Sequence, residues 1–413
     1  MANKSLLLIL LVVSVATHFA FFGHPNQTVF DEVQFGKFIS GYYTHEYYFD
    51  IHPPLGKLMI AGFAKVFDFK PKFSFTEIGK TFPDNKYLAL RFLPSLAGTL
   101  LPIVIFLLAI QLKFSRQGAF VAGLLMAIEN TLITQTHYIL MDGFLLLFGL
   151  LTLLFYFRRR FLWMAIFGGL AISIKWTGLT FLALPFLIEV FYLFKEKNFK
   201  TILKLPIYFL FIPLVLYFSV FVIHFTLLTK PGTGDAFMKP TFHQDNVVTK
   251  FLQLNTEMYR SNQRLTATHP YGSPWYSWPF MSRSIFYWVS GDSRIYLLGN
   301  PVIWWASTLA VLMSLGYIPR HRTIKLLLGG YFLNLLPFIG ISRVMFLYHY
   351  LTSLVFAILI LVYLIEKQKN SKKIFIGLTA ISVLAFIYFA PLSYGLPLAP
   401  KAYESRVWLS SWK

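Results

Sequence analysis

"VFDEVQFGKFISGYYTHEYYFDIHPPLGK", Val29 to Lys57, follows directly on the first long apolar run of the chain. It crowds acids, histidines, lysines and a proline pair among aromatic residues, with Asp31 and Glu32 at its head and His52-Pro53-Pro54 shortly before Lys57. What such a stretch can do depends on its surroundings. Of 413 residues, 56% are hydrophobic, 19% aromatic and only 13% charged, whereas a soluble domain carries roughly 25% charged residues. Near-continuous apolar runs recur from end to end, each close to the ~20 residues that cross a bilayer as a helix. The reading is an all-α polytopic membrane protein, and the quoted stretch is its first long loop.

Spans are predicted near residues 5–22, 88–112, 118–136, 138–157, 160–174, 176–194, 203–227, 299–317, 323–341, 345–366 and 374–392, about eleven in all. The first reads as an uncleaved anchor, since its apolar run is long for a signal peptide and no small-x-small site follows. Alternate connections carry Lys113 and Arg116, Arg158 to Arg160, Lys195, Lys197, Lys200 and Lys204, the run around Arg320, and "EKQKNSKK" before Ile374. All fall on the side of the N-terminus, which the positive-inside rule makes cytoplasmic. Loops 23–87 and 228–298 then lie on the outer side. No repeat and no Pro/Gly/Ser linker marks a second domain, so residues 1–413 read as one integrated membrane domain.

The formal charge of +20 belongs largely to these short loops, which argues against a nucleic-acid partner. Absence of cysteine removes disulfides, thiol catalysis and thiolate metal sites. Within the first loop, Leu55, Leu58, Met59, Phe63, Val66 and Phe67 follow helical spacing, with Lys57 and Lys65 elsewhere around the helix. The pattern predicts an amphipathic helix in the membrane interface, begun by Pro53 and Pro54. A second short helix is predicted from Thr28, with Phe30, Val33 and Phe38 toward lipid or the bundle.

Ionisable residues beside spans are costly and mark pathways or sites. Asp31, Glu32, Asp50, His52, Arg91, His137, Asp142, Lys175, Arg343 and His349 all map to the outer boundary. Each has a plainer reading: Thr28 and Asp31 as half of a capping box, Arg91, Lys175 and Arg343 snorkelling to headgroups, His52 and His349 as hydrogen-bonded structural groups. "HPYGSPWYSWPF", Trp176 and Trp305 could form an aromatic belt. Those readings leave the acid pair followed by a histidine, two prolines and a lysine unexplained. A carboxylate beside cations at the outer face suits a lipid-linked phosphate donor: the cations hold the leaving phosphate and the carboxylate takes a proton from an incoming hydroxyl. Neither a Walker "GxxxxGK[ST]" nor a dinucleotide glycine fingerprint is present.

"FDEVQFGKFISGYYTHEYYFDIHPPLGKLMIAG" resembles the first-loop signature of the protein O-mannosyltransferases, in which an Asp-Glu pair precedes "HFGKF" and a later "FDVHPPLGK". Further echoes are "ALRFLPSLAGTLLP" at Ala89, "YILMDGFLLLF" at Tyr138, "GLAISIKWTGL" at Gly169, "HPYGSPWYSWPF" at His269, "GNPVIWW" at Gly299 and "LYHYLTSLVFAILIL" at Leu347. The resemblance implies a C-type glycosyltransferase (GT-C) fold and inverting transfer of mannose from a polyprenyl- or dolichyl-phosphate carrier to Ser/Thr hydroxyls of proteins. By the same resemblance Asp31 is the catalytic base and Glu32 supports acceptor binding or orientation. Arg91 either contacts the donor phosphate or holds the site together, Lys175 contacts phosphate, and Trp176 walls the pocket. His52 and Lys57 belong to the "HPPLGK" motif, and His349 to that of the tenth span, on the donor side. Asp50, Asp142 and Arg343 are further candidates. No metal and no cofactor is implied; the lipid-linked sugar is a substrate.

Phe30 stands where the family usually has tryptophan. Loop 228–298 is too short for the β-trefoil MIR domain of eukaryotic members, so the chain resembles the shorter prokaryotic ones, with a plasma-membrane site facing outward; in a eukaryote the site would be lumenal in the endoplasmic reticulum. Two rival functions stand beside this one. A GT-C transferase could use the same donor class on a lipid or glycan acceptor, and a transporter or flippase would show paired broken spans and charges spread through the membrane depth. Oligomeric state, carrier length, acceptor motif and the role of loop 228–298, lid or acceptor site, are left open.

Overall fold

The structure, a computed structural model, describes residues 2–196, 202, 204–264, 268–317 and 321–413. Lys197, Lys200 and Arg320 of the basic loops lie outside these. From the N-terminus run α1 (Ala2–His18), α2 (Glu32–Thr44), α3 (Leu55–Val66), α4 (Tyr87–Gln111), α5 (Arg116–Ala127), α6 (Asn130–His137), α7 (Asp142–Phe157), α8 (Phe161–Ile174) and α9 (Leu179–Glu196). A short α10 (Lys204–Pro206) passes through a π turn into α11 (Ile212–Leu227), followed by α12 (Val247–Arg264), strands β1 (Ile285–Ser290) and β2 (Ser293–Leu297), α13 (Pro301–Ser314), α14 (Arg322–Leu335), α15 (Leu351–Glu366), α16 (Ser371–Tyr394) and α17 (Pro400–Glu404).

The apolar runs become helices because their residues are apolar on nearly every face and the chain must satisfy its own backbone groups there. Each predicted span coincides with a helix or a pair. Among the described residues 6 helices can cross a membrane by length and composition, or 7 if the bent pair α5–α6 is one span. The four others, α1, α7, α8 and α13, are shorter apolar helices. α4 packs against α1, α5 and α7, α7 against α8, and α15 against α13 and α14. α15 lies at the centre with nearly every side chain buried, while α9, the π turn, α11 and α16 leave Phe186, Leu187, Leu210, Phe211, Leu214, Ile381, Leu384 and Ile387 exposed, as suits a lipid-facing periphery. The α5–α6 pair bends by 54°. Glu129 fills the break, accepting from Leu132 N–H at 2.9 Å and Asn300 N–H at 2.8 Å.

The first loop departs from expectation in two ways. α2 begins at Glu32 rather than Thr28, because Phe30 lies in the left-handed region (φ 45°) and the Thr28 hydroxyl donates to the Glu77 carbonyl at 2.5 Å instead of capping. The Thr28–Asp31 capping box does not form; Glu32 itself accepts from Val29 N–H at 2.8 Å. α3 starts after Pro54 as the proline pair predicts, yet its buried stripe is Gly56, Lys57, Ile60, Ala61 and Ala64, while Val66 and Phe67 are exposed. Lys57 thus lies on the inner face because an ion pair awaits it there. Gly36 of α2 lets the loop after α3 lie against it: a Cβ there would stand 2.2 Å from the Phe75 ring.

The second long loop holds α12 and an antiparallel hairpin with register Ile285↔Leu297 and Ser290↔Ser293, a β element within an otherwise helical chain. The C-terminal residues clasp this hairpin region: Leu398 N–H donates to Asp292 O at 3.1 Å, Ser284 Oγ to Trp412 O at 2.9 Å, and buried Trp412 donates its indole N–H to Met281 O at 2.8 Å.

Candidate active site

The polar residues that share one level in the sequence reading resolve into three ion pairs and one carboxylate without a partner. In the first pair Arg91, on the opening turns of α4, donates Nε to Glu32 Oε1 and Nη2 to Glu32 Oε2, both at 2.7 Å. Its remaining N–H groups reach the carbonyls of Gly23 (3.1 Å), Pro25 (2.7 Å) and Gln27 (2.7 Å), and its guanidinium lies 5.1 Å from the Tyr87 ring and 5.0 Å from the Tyr138 ring. Glu32 also accepts from Ile139 N–H at 3.0 Å. Both side chains are 0% exposed. All five guanidinium donors are committed, so Arg91 does not face a donor phosphate and Glu32 does not face an acceptor. Burial corrects the donor-phosphate reading of Arg91 and the acceptor-binding reading of Glu32, and favours the other alternative for Arg91, holding the site together: the pair pins the first loop and the start of α2 to α4 and to the α6–α7 corner.

The second pair is Lys57 with Asp50. Lys57 Nζ also donates to the carbonyls of His52 and Pro53, both at 3.1 Å, and Asp50 Oδ1 accepts from His52 N–H at 3.1 Å. With its three protons used and the residue buried, Lys57 is not a donor-phosphate contact; it closes the loop that presents His52.

The third pair is Lys175 with Asp142, Nζ to Oδ1 at 2.8 Å, each side chain 9% exposed. Lys175 is extended (φ −148°, ψ 146°) between α8 and the turn Trp176–Gly178. Gly178 permits that turn, since a Cβ there would meet the Ala171 backbone at 2.4 Å. Asp142 Oδ2 accepts from Gln135 Nε2 at 2.7 Å, and Gln135 Oε1 from the Tyr287 hydroxyl at 2.5 Å. Tyr287, on β1, stacks on Phe30 with centroids 4.0 Å apart and planes within 7°, and its carbonyl accepts from Phe30 N–H at 3.1 Å. The hairpin of the second loop therefore ties the residue before Asp31 to the Asp142–Lys175 pair. Trp176 donates to the Tyr217 hydroxyl at 2.8 Å, which donates to Asn255 Oδ1 at 2.5 Å.

Asp31 is different. Among the described residues no donor is hydrogen-bonded to its carboxylate, which lines a cavity of about 820 Å³ with Asp50, His52, Glu257, Arg264, Arg343 and Tyr348. Burial raises its pKa from 3.8 to about 6, Lys175 opposes that rise, and Asp142 and Asp50 add to it. An adjoining cavity is lined by His52, Asp142, Lys175, Trp176, Arg343, Tyr348 and His349. His349 is fixed by stacking on Tyr348 (4.5 Å) and Trp278 (5.7 Å). Burial, then the cations Lys175, Arg343 and Lys57, push the His52 pKa well down, keeping its imidazole neutral.

Arg343 lines both cavities and has no hydrogen bond or ion pair among the described residues; its Nε is buried without a partner. A cation so placed is an anion seat waiting to be filled. His137 is buried on α6 and lines neither cavity. Tyr287, Gln135, Tyr348 and the α12 residues Glu257 and Arg264 were absent from the sequence candidates; only the polar face of α12 could have signalled any of them. Among the described residues no three His, Asp or Glu side chains converge as metal ligands.

Residues 8–229 match the family model described as dolichyl-phosphate-mannose-protein mannosyltransferase, and residues 247–412 that of the C-terminal four-TMM region of protein-O-mannosyltransferase. Protein O-mannosyltransferase 1 of Drosophila melanogaster is 33% identical over 256 residues, 56% of this chain and 29% of that protein. Dolichyl-phosphate-mannose–protein mannosyltransferase 4 of Candida albicans is 30% identical over 284 residues, 62% and 38% respectively. The matches thus span about a third of the length of these curated relatives. The solved Saccharomyces cerevisiae protein O-mannosyltransferase Pmt1–Pmt2 complex bound to the sugar donor superposes with a TM-score of 0.96 at 20% identity, over 100% of this chain and 93% of that one. ArnT from Cupriavidus metallidurans bound to undecaprenyl phosphate gives 0.57 at 13% identity, over 93% and 64%. These likenesses establish the GT-C fold of an integral membrane protein, and with the family models covering most of its length, the chain belongs to the dolichyl-phosphate-mannose-protein mannosyltransferase family.

Proposed function

We propose that this chain transfers mannose, with inversion, from a polyprenyl-phosphate carrier to serine or threonine hydroxyls of a protein. The observation that carries the reading is the unpartnered Asp31 carboxylate facing a cavity that adjoins one lined by Lys175, His349 and the uncompensated Arg343. The larger cavity takes the acceptor and the adjoining one the donor headgroup. Asp31 accepts the hydroxyl proton as that oxygen attacks the anomeric carbon. The bond from that carbon to the phosphate oxygen breaks, and its electron pair goes to the phosphate, held by Arg343 and Lys175. A carboxylate pKa near 6 leaves the base ionised at neutral pH yet better able to hold a proton than an ordinary aspartate. Trp176 and His349 wall the sugar and phosphate region, and Asp142 holds Lys175 in place.

The basic loops support an N-terminus in the cytoplasm and a site on the outer side, in a plasma membrane for a prokaryotic chain. Residues 1–413 form one transmembrane unit, with about eleven crossings once the shorter apolar helices are included. The test is incubation of purified protein with radiolabelled polyprenyl-phosphate-mannose and a Ser/Thr-rich peptide. Label on the peptide, lost in Asp31→Asn, is expected; label on lipid alone would assign a lipid acceptor instead. Arg343→Ala should raise the KM for donor at least tenfold, as loss of a charged contact worth about 1.5–3 kcal/mol implies.

A further inference from the structure

We infer that the Asp31 cavity continues as a trough along α12, and that the outer end of this trough selects a carboxylate-bearing residue on the acceptor polypeptide. The inference rests on the proposed function. Phe237 and Glu257, in the wall of the larger cavity, also line a depression of about 220 Å³ on the outer surface, which Lys239 and Arg260 share with Gln253 and Thr256. Two cavities with common walls offer one path from the base outward, and an extended polypeptide is the substrate that needs a path rather than a pocket.

The inner part of the path carries both signs: Asp31 shares the cavity wall with Arg343 and Arg264, Asp50 is paired with Lys57, and Glu257, further out, accepts at Oε1 from Ser261 Oγ at 3.1 Å. At the outer end Lys239 and Arg260 are exposed and have no ion pair or hydrogen-bonded side chain among the described residues. The acids that could have neutralised them are engaged elsewhere: Asp235 with His243 at 2.7 Å and Gly232 N–H at 3.0 Å, Asp245 with Gln253 Nε2 at 2.5 Å. An acceptor is therefore favoured when an Asp or Glu lies outward of its Ser or Thr, against Lys239 and Arg260. Each such exposed pair contributes little, so the effect is on acceptor KM and is sensitive to salt.

The test uses the full-length protein in nanodiscs of neutral lipid with labelled donor and a set of single-threonine peptides. Each carries one Glu, one Lys or neither at successive positions on either side of the threonine. The expected result is a KM lower by roughly fivefold for Glu at an outlying position on one side only, with kcat unchanged and the difference gone at about 0.5 M salt. The K239E/R260E variant should label the neutral peptide at the wild-type rate and now prefer the Lys peptide. Equal KM for Glu, Lys and neutral peptides at every position, or a Glu preference that survives charge reversal, overturns the inference while leaving mannosyl transfer intact. A rate that follows anionic lipid content and ignores peptide charge overturns it too, assigning the cations to headgroups. Failure to label even the neutral peptide brings down the functional reading itself.

Discussion

Asp31 and Glu32 are neighbours in sequence with opposite fates. Glu32 is locked to Arg91 out of solvent's reach, whereas Asp31 keeps its carboxylate free over the cavity. Because burial raises the Asp31 pKa to about 6, kcat/KM should fall tenfold per pH unit below about 6 and level off above it. Lys175 lowers that pKa and Asp50 raises it, so Lys175→Met should move the acidic limb upward and Asp50→Asn downward; an unmoved limb in both would deny Asp31 the proposed role of base. The same shift sets a stability trend. A folded pKa raised above the ordinary 3.8 means that the group's contribution is full below about pH 4 and is lost as pH rises through 6. Asp31→Asn should therefore be inactive yet more stable than the parent at pH 7, by on the order of 1–2 kcal/mol after allowance for partial exposure, the two converging near pH 4. Thermal unfolding in detergent at the two pH values checks it. Arg91→Ala should fail differently: it strands a buried Glu32 charge, costing about 3–5 kcal/mol, and is read as lost folded yield rather than a raised donor KM. The importance of Arg91 was legible from its place at the head of a span; its partner was not, because Glu32 lies 59 residues away and only folding brings them together.

At the scale of elements, the hairpin joins the acidic loop to the Asp142–Lys175 pair through a stacked ring and a hydroxyl on one side chain, Tyr287. Tyr287→Phe keeps the stack on Phe30 and removes the bond to Gln135, so it should cost about 1 kcal/mol of stability and lower kcat with little change in acceptor KM. Tyr287→Ala removes both and should cost about 3–5 kcal/mol. A kcat equal to the parent's in both variants, per folded molecule, would remove the hairpin from the catalytic support. The helices were legible because apolar runs near 20 residues have few alternatives. The hairpin was not: "IFYWVS" and "SRIYL" are short aromatic runs beside a span, which periodicity alone cannot separate from helix. α3 was legible as a helix with Lys57 off its apolar stripe; that Lys57 faces inward was not, because the Asp50 carboxylate that draws it there lies outside the helix.

For the whole molecule, the absence of cysteine makes sidedness directly measurable. Single Lys72→Cys and Lys369→Cys variants place exposed thiols in the first loop and in the last basic loop. In intact cells a membrane-impermeant maleimide should label the first and not the second; the reverse would turn the proposed site to the cytoplasm. By itself the sequence determined a membrane protein of many apolar helices, a basic side and a side bearing acids. Those follow from composition and spacing, which the bilayer reads one segment at a time. The tertiary structure decided which charges are spent and which are available, since Glu32, Lys57 and Asp142 are neutralised by partners from other elements while Asp31 and Arg343 have no such partner among the described residues. Ion pairing acts over a few ångströms, and which groups come within that distance depends on how distant segments pack rather than on their order along the chain.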